Sequence, residues 1–282
     1  MSTPSAQLFS TASADGRRLR VWLAALAGVL LAACASAPPP ASGPASGPAL
    51  GEAPRLAARP STQQPASEAR TGITRLTDGT SAELYVPRTY RPDQPAPFLL
   101  LLHGATGRGA DMIDHFRHDA DVRGVILLAP DSEGTTWDVV QSFVRGRSTG
   151  APTRYGADVP RIDAALTAVF SRYAIDPART GVLGVSDGAG YALALGTNNP
   201  ALFPRVIALS PGFIMPVEAT QRARIFIAHG RQDRILPVDV TTTTIVPALR
   251  AAGFDVTLDL FNGGHNWPRP VTDAAMSWFL TP

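Results

Sequence analysis

The chain has 282 residues, of which 45% are hydrophobic, and its 25 basic and 23 acidic residues give a formal net charge of +2. This hydrophobic fraction is typical of a globular protein and excludes disorder over the whole chain. The single Cys excludes a disulfide framework and a multi-cysteine metal cluster. Arg17, Arg18 and Arg20 outnumber Asp15 within residues 1–33 and account for the whole net charge. Because the remainder is formally neutral, we expect no nucleic-acid partner despite a pI of about 9.0.

Residues 1–33 have the layout of an export signal. A polar segment with three Arg residues precedes the apolar run Val21–Ala33. As a helix this run would be about 20 Å long, which is shorter than the ~30 Å hydrocarbon core of a membrane. The run continues into Leu31-Ala32-Ala33-Cys34, which resembles the lipobox of bacterial lipoproteins. That resemblance implies cleavage before Cys34 and acylation of its thiol and of the new amino group.

We therefore predict that Cys34 anchors the protein to the membrane through lipid, after export to the cell envelope, on the periplasmic face of the outer membrane. Two or three acyl chains exceed the single chain that gives only marginal membrane binding. The alternatives are a simple secretory signal with an incidental Cys and an uncleaved anchor. The following stretch is rich in Ala, Pro, Ser and Gly, so we predict a disordered tether over residues 34–70 and a folded domain over 71–282.

The domain alternates short apolar runs with helical patterns, which predicts an α/β fold. The predicted strands are Gly72–Leu76, Ala82–Val86, Phe98–Leu102, Val125–Ala129, Thr180–Val185, Arg205–Leu209, Arg224–Ala228 and Val256–Phe261. The predicted helices lie near Asp111–Ala120, Val159–Tyr173, Gly188–Thr197, Val240–Ala252 and Val271–Phe279. We expect a mostly parallel central sheet of about eight strands flanked by helices. Its first two strands should form an antiparallel hairpin that turns at Asp78-Gly79.

Residues 184–188, Gly-Val-Ser-Asp-Gly, form a Gly-x-Ser-x-Gly motif between a predicted strand and a predicted helix. In this setting the Ser lies on a tight, strained turn, and side chains at Gly184 or Gly188 would collide with the neighbouring strand or helix. The N–H of Asp187, at the helix N-terminus, would point toward an oxyanion formed at Ser186. We predict that Ser186 is a nucleophile, with an ordinary Ser in a Gly-rich turn as the alternative.

A Ser nucleophile needs a base to accept its proton, and the chain contains five His residues. His265 follows a Gly pair in the loop between the last predicted strand and the last predicted helix, a position that suits this base. His115 and His118 lie on a polar helical pattern and are expected to face solvent. His103 and His229 each end a predicted strand, which is typical of structural residues.

The base needs an orienting acid. Asp233 lies in a loop at the predicted carboxyl edge of the sheet, four residues after His229. Asp239 is the alternative, but it lies at the start of a predicted helix, where an N-cap role is typical. The order Ser186, Asp233, His265 along the chain is that of the α/β-hydrolases.

From about Thr80 to Leu280 the chain resembles the bacterial phospholipase/carboxylesterases, predicted esterases of the α/β-hydrolase superfamily. The motifs that carry the resemblance are Leu-Leu-His-Gly (101–104), Ala-Pro-Asp-Ser-Glu-Gly-Thr-Thr-Trp-Asp (129–138), Gly-Val-Ser-Asp-Gly (184–188), Leu-Ser-Pro-Gly-Phe (209–213), His-Gly-Arg-Gln-Asp (229–233) and Gly-Gly-His (263–265). The resemblance implies Ser186 as nucleophile, His265 as base and Asp233 as acid. It also implies an oxyanion hole formed by the N–H groups of Asp187 and Ala105. It calls for no metal and no organic cofactor.

The implied reaction is hydrolysis of a small or medium acyl or aryl ester by a monomer, with the ester as its small-molecule partner. Residues 210–223 are too few for a large cap between two strands, so we expect a minimal cap and an open cleft. His103, Trp137 and Trp267 are predicted to line the substrate site, with core packing as the alternative for Trp137.

The longest stretch predicted to be irregular is Pro130–Ala157, and a long loop in a compact domain is often functional. Its Arg145, Arg147 and Arg154 would favour an anionic substrate, unless they are only a solvated surface.

Three alternatives to a carboxylesterase stay open. The Gly-Gly-His-Asn-Trp-Pro sequence at 263–268 also resembles secreted polyester depolymerases and feruloyl esterases. A peptidase could use the same triad, and a non-catalytic envelope lipoprotein could use the fold as a binding module.

Replacing Cys34 by Ser is expected to abolish acylation, because the thiol is the group that the lipobox resemblance marks for modification. Growth with a radioactive fatty acid measures the label on each protein. The wild type should carry label, and a Cys34→Ser variant labelled to the same extent would contradict the predicted anchor.

Overall fold

The computed structural model describes residues 53–63, 70–77, 79–215 and 223–281. The predicted signal peptide, Cys34 and most of the predicted tether lie outside these ranges, and so does Asp78 of the predicted hairpin turn. Among the described residues, none of the helices has both the length and the apolar character needed to cross a membrane.

The described chain folds around one eight-stranded sheet of order β1-β2-β4-β3-β5-β6-β7-β8. The strands are β1 (Gly72–Leu76), β2 (Ala82–Val86), β3 (Ala96–Leu102), β4 (Ile126–Pro130), β5 (Ile175–Val185), β6 (Arg205–Leu209), β7 (Arg224–Gly230) and β8 (Asp255–Phe261). Strand β2 pairs antiparallel with both β1 and β4, whereas all pairs from β4 across to β8 are parallel. The predicted α/β fold with an initial antiparallel hairpin is therefore confirmed.

Helices lie on both faces of this sheet. They are α1 (Gly109–Arg123), α2 (Asp138–Thr149), α3 (Asp158–Phe170), α4 (Asp187–Asn198), α5 (Val238–Val240), a π-helical turn (Thr241–Ile245), α6 (Val246–Ala251) and α7 (Arg269–Leu280). The central strand β3 is buried along its whole length. Its residues alternate between two cores: Phe98, Leu100 and Leu102 pack on one face, and Leu99 and Leu101 on the other. This two-sided burial explains why the strand is apolar without alternation.

Helix α2 corrects the prediction that Pro130–Ala157 is one long irregular stretch. The segment contains Gly146 and several β-branched residues, which are weak helix formers. Tertiary contacts determine its conformation instead. The Asp158 carboxylate accepts the N–H of Asp138, the first residue of the helix, at 2.8 Å. The Asp138 carboxylate in turn accepts the N–H of Asp158 at 2.9 Å, so each carboxylate satisfies the start of the other's helix.

The segment 53–63 packs on the domain, although it lies within the stretch predicted as a disordered tether. Leu56 is buried, and its N–H donates to the Asn199 Oδ1 atom at 2.9 Å, while Asn199 Nδ2 donates to the Pro54 carbonyl at 2.7 Å. The N–H groups of Ala57 and Ala58 both donate to the Asp163 carboxylate at 2.8 Å. Composition averaged over the stretch misses these contacts, because a few anchors and distant polar partners suffice to order it.

Replacing Asn199 by Ala is expected to lower the free energy of unfolding by about 1–3 kcal/mol, since two buried backbone groups lose their partner. It should also speed tryptic cleavage after Arg55, because the segment is no longer held on the domain. Thermal unfolding and a tryptic time course measure the two effects. Gln94→Ala, at an exposed position, is the control; equal cleavage rates in the two variants would contradict the packing.

Candidate active site

Ser186 lies on the sharp turn between β5 and α4, with φ 55° and ψ −122°. This positive φ is uncommon for a residue with a side chain and marks local strain. The turn requires both flanking glycines: a Cβ on Gly184 would lie 1.9 Å from the Gly188 carbonyl oxygen, and one on Gly188 would lie 2.3 Å from that of Leu102. The Ser186 N–H donates to the Leu209 carbonyl at 2.9 Å. The strained turn is thus fixed by steric contact on two sides and by a bond to the neighbouring strand end.

The structure brings Ser186, His265 and Asp233 into one hydrogen-bonded row. The Ser186 Oγ and His265 Nε2 atoms are 2.9 Å apart, and His265 Nδ1 is 2.6 Å from Asp233 Oδ2. The three residues follow the carboxyl ends of β5, β7 and β8. Because parallel strands end at the same edge of the sheet, residues distant in sequence meet there.

The loops that carry Asp233 and His265 are bonded to each other. The Arg231 N–H donates to the Phe261 carbonyl and the Gln232 N–H to the Gly263 carbonyl, both at 2.9 Å. A Cβ on Gly230 would lie 2.3 Å from the Gly264 carbonyl oxygen, so the two backbones are in direct contact. The distance between the acid and the imidazole is therefore set by backbone contacts as well as by the side chains.

Asp233 is the better placed of the two candidate acids. Its side chain is buried, and its Oδ1 atom accepts the N–H groups of Ile235 and Leu236, both at 2.9 Å. These bonds compensate the loss of hydration that burial imposes on a carboxylate. Asp239 is exposed in the first turn of α5, and its carboxylate has no contact with His265 among the described residues.

The two backbone N–H groups predicted for the oxyanion hole flank Ser186. Asp187 begins α4, so its N–H lies at the positive end of the helix dipole. The chain at Gly104 approaches the nucleophile closely, since a Cβ on Gly104 would lie 3.1 Å from Ser186 Cβ. Within the described ranges neither the Asp187 nor the Ala105 N–H has a backbone acceptor. Both N–H groups therefore remain candidates for binding an oxyanion formed at Ser186.

His103 and Trp137, which were predicted to line the substrate site, are instead buried next to residues 104–106. We call these residues the oxyanion loop, because they include the predicted donor Ala105. Trp137 is 0% exposed and stacks on Tyr191, and its Nε1–H donates to the His103 carbonyl at 2.8 Å. The His103 ring lies against Trp137, with ring centroids 4.7 Å apart. The sequence could not exclude this packing, because a buried Trp and a substrate-facing Trp have the same local pattern.

The His103 ring is neutral and bonded at both nitrogens. The Ser132 N–H donates to Nε2 at 3.0 Å, so the proton lies on Nδ1, which donates to the Gly104 carbonyl at 2.7 Å. Burial lowers the pKa of His103, which favours the same neutral form. His103 thereby connects the oxyanion loop to the loop that follows β4.

Trp267, the third predicted substrate residue, lies beside His265. Its ring is half-buried and meets the His265 ring edge to face, with centroids 6.0 Å apart. Of the three aromatic residues predicted to contact substrate, Trp267 alone has surface next to the reacting groups.

Sequence reasoning missed Thr136. Its hydroxyl donates to the Asp187 carboxylate at 2.7 Å, and the preceding residue, Thr135, accepts the Thr106 N–H through its carbonyl at 2.6 Å. No spacing rule connects these positions, because they meet only through the order of β4, β3 and β5 in the sheet. The segment 131–137 therefore contacts both sides of the predicted oxyanion hole.

Several other charged and titratable residues that the sequence singled out lie on the surface. Arg145 and Arg154 are exposed, as a solvated surface would be, and the Arg147 side chain lies outside the described atoms. In the described part of the chain, no cluster of three or more His, Cys, Asp or Glu side chains is placed to bind a metal ion. His115 and His118 are exposed on α1, as predicted.

Replacing Trp137 by Phe is expected to lower kcat for ester hydrolysis about 10-fold with little change in KM, because the His103 carbonyl loses its donor and the oxyanion loop shifts. Steady-state kinetics with a p-nitrophenyl ester measure both constants. Trp278→Phe, at a half-buried Trp on α7, is the matched control. An unchanged kcat in Trp137→Phe would show that the bond does not position the loop.

Comparison with known proteins identifies the family to which the chain is similar. The family described as "Putative esterase" matches residues 73–269, whereas no curated protein sequence matches the chain. Esterase PE8 is 22% identical, with a TM-score of 0.55 over 74% of this chain and 98% of its own. S-formylglutathione hydrolase from Staphylococcus aureus is 11% identical, with a TM-score of 0.57 over 76% of this chain and 100% of its own. The Bacillus cereus carboxylesterase is 18% identical, with a TM-score of 0.52 over 71% and 92%.

At these identities the solved structures establish the fold alone, which is that of the α/β-hydrolases. The family match, in contrast, covers well over half of the chain and includes the nucleophile turn and both loops of the candidate site. The chain therefore belongs to this esterase family and is a serine esterase-type hydrolase.

Proposed function

We propose that the enzyme hydrolyses carboxylic esters through an acyl-enzyme on Ser186, with His265 as general base and Asp233 as the acid that orients it. The observation that carries the proposal is the unbroken row of hydrogen bonds from Ser186 Oγ to His265 at 2.9 Å and from His265 to Asp233 at 2.6 Å. The Asp233 carboxylate can only accept a hydrogen bond, so the His265 proton lies on Nδ1. The Nε2 atom therefore presents its lone pair to the Ser186 hydroxyl.

The reaction has two steps. Ser186 Oγ attacks the ester carbonyl while its proton passes to His265 Nε2, and the oxyanion is held by the Asp187 and Ala105 N–H groups. The imidazolium then returns the proton to the leaving alcohol as the carbon–oxygen bond breaks. Water, deprotonated by the same Nε2 atom, then attacks the acyl-enzyme carbonyl. The tetrahedral intermediate breaks the bond to Ser186 Oγ, which takes back the proton from His265, and the carboxylic acid is released.

The surroundings of Ser186 favour small or medium acyl or aryl esters. Phe213 packs on Gly190, which lies one helical turn after Ser186, and stacks on Phe143 with centroids 5.3 Å apart. Trp267 lies on the other side, next to His265. Ile235, two residues after Asp233, is 50% exposed. Apolar side chains around one polar row are typical of a site for neutral organic substrates.

We also propose that the enzyme acts as a monomer tethered to the cell envelope through lipid on Cys34. The support is the Leu31-Ala32-Ala33-Cys34 sequence after an apolar run, together with the absence of any other Cys in the sequence. A tether of this kind would hold an esterase near the membrane without a role in the chemistry.

Replacing Ser186 by Ala is expected to abolish fluorophosphonate labelling and to lower kcat for p-nitrophenyl esters by about 10⁶-fold, because no nucleophile remains. Gel fluorescence and initial rates with the acetate through dodecanoate esters measure the two effects. Labelling of Ser186→Ala at the wild-type rate would rule out Ser186 as the nucleophile. Faster turnover of peptide anilides than of esters by the wild type would instead assign the enzyme to the peptidases.

The acid is tested within the same assay by a matched pair of substitutions. Asp233→Asn should lower kcat by about 10⁴-fold, since an amide no longer holds the His265 proton on Nδ1. Asp239→Asn removes one carboxylate from an exposed helix start and should leave kcat unchanged. The reverse result would transfer the role of the acid to Asp239.

A further inference from the structure

The Asp233 carboxylate has a second imidazole beside it. We propose that His229 is a positioning residue for the acid of the triad: its Nε2–H holds Asp233 in the orientation that serves His265. The inference rests on the proposed function, because Asp233 has a role to be positioned for only if the triad operates. It assigns to His229 a task beyond that of a residue that ends a strand.

His229 is 0% exposed near the carboxyl end of β7, and each of its ring nitrogens has a partner. Nε2 lies 2.9 Å from the Leu236 carbonyl oxygen and 3.2 Å from Asp233 Oδ2. Nδ1 lies 2.8 Å from the Thr241 hydroxyl. The ring is therefore held at both nitrogens, next to Asp233 of the candidate site.

These partners determine where the proton is. The Leu236 carbonyl and the Asp233 carboxylate can only accept hydrogen bonds, so a bare Nε2 would face two acceptors and be repelled by both. Nε2 must therefore carry hydrogen, which it donates to the Leu236 carbonyl at 2.9 Å while the positive N–H lies 3.2 Å from the Asp233 carboxylate. In the neutral ring Nδ1 is then a bare acceptor, and the Thr241 hydroxyl donates to it.

With His229 included, four N–H groups lie next to the buried Asp233 carboxylate, three as hydrogen-bond donors and that of His229 as a contact at 3.2 Å. Oδ1 accepts the N–H groups of Ile235 and Leu236, and Oδ2 lies between the rings of His265 and His229. Without His229, Oδ2 would be held by the imidazole of His265 alone, which moves a proton during the reaction. A second N–H group next to the same oxygen keeps the orientation of the Asp233 carboxylate constant while that proton is exchanged.

The support for His229 itself comes from the far side of the ring. Thr241 is fully buried and begins the π-helical turn Thr241–Ile245, and its hydroxyl lies 3.3 Å from the Pro211 carbonyl. Pro211 lies just after β6, the strand next to that of the nucleophile. The π-helical turn places a hydroxyl where a regular helix would have a different register, and such turns are frequent at functional sites. Thr241, which lies close to the end of β6, thus holds the Nδ1 side of the His229 ring, and the opposite side of the ring faces Asp233.

Three substitutions at His229 test the position of the donor. In His229→Gln the amide nitrogen can reach the place of Nε2, whereas in His229→Asn the shorter amide reaches only the place of Nδ1 and can still bond Thr241. His229→Leu removes both groups. We expect Asn and Leu to lower kcat for p-nitrophenyl acetate by about 10- to 100-fold with KM within about twofold, and Gln to recover most of the loss.

The rate of fluorophosphonate labelling is the second measurement, since it needs the nucleophile, the base and the acid but no ester turnover, and it should follow kcat. Thermal unfolding is measured for each variant. Because Asn and Gln both introduce a neutral amide, a purely structural role for His229 would lower kcat equally in the two. Equal kcat in Asn and Gln, or wild-type kcat in Leu, would overturn the positioning role.

A Ser186→Ala protein assayed in parallel distinguishes the two ways in which the idea can fail. If Ser186→Ala is inactive while the His229 variants match the wild type, the positioning role alone is wrong. If Ser186→Ala hydrolyses the ester at the wild-type rate, the proposed function is wrong and the positioning role is wrong with it.

Discussion

The buried carboxylate of Asp233 is the constraint on which the arrangement of this site depends. A charge without water costs several kcal/mol unless donors surround it, and this chain supplies two backbone N–H groups and two imidazoles. These groups come from three parts of the fold: both backbone N–H groups from the loop after β7, one imidazole from β7 itself and the other from the loop after β8. Burying one charge therefore fixes the mutual positions of these segments, and the loop after β8 carries the proposed base.

Ser186, the proposed nucleophile, is held by packing, whereas Asp233, the proposed acid, is held by hydrogen bonds. Ser186 has its strained φ of 55° because Gly184 and Gly188 allow strand, turn and helix to touch. Strain of this kind persists only where the surroundings determine the backbone, and here the bond to the Leu209 carbonyl adds a third restraint. Both residues meet at His265, whose imidazole contacts Ser186 through Nε2 and the Asp233 carboxylate through Nδ1.

The oxyanion side of the site depends on a layer that contributes no predicted catalytic group. Trp137, Ser132 and Thr136, from the segment after β4, bond to His103 and to Asp187. The Asp138–Asp158 pair anchors that segment, and burial raises the pKa of Asp138 in spite of its backbone donors. The aromatic residue expected at the substrate is thus used to support the loop that would bind the oxyanion.

The sequence by itself determined the α/β fold and the order of its strands along the chain, and it named the candidate catalytic residues, because apolar periodicity and the Gly-x-Ser-x-Gly motif are local signals. It favoured Asp233 over Asp239 from chain position alone, and it assigned no partner to His229. Only the tertiary structure decided that His229 shares the Asp233 carboxylate, that Trp137 is buried, that residues 138–149 form a helix and that residues 53–63 pack on the domain. The physical reason is common to all four: each depends on burial or on polar contacts that form only when the chain is folded, and that no local sequence pattern encodes.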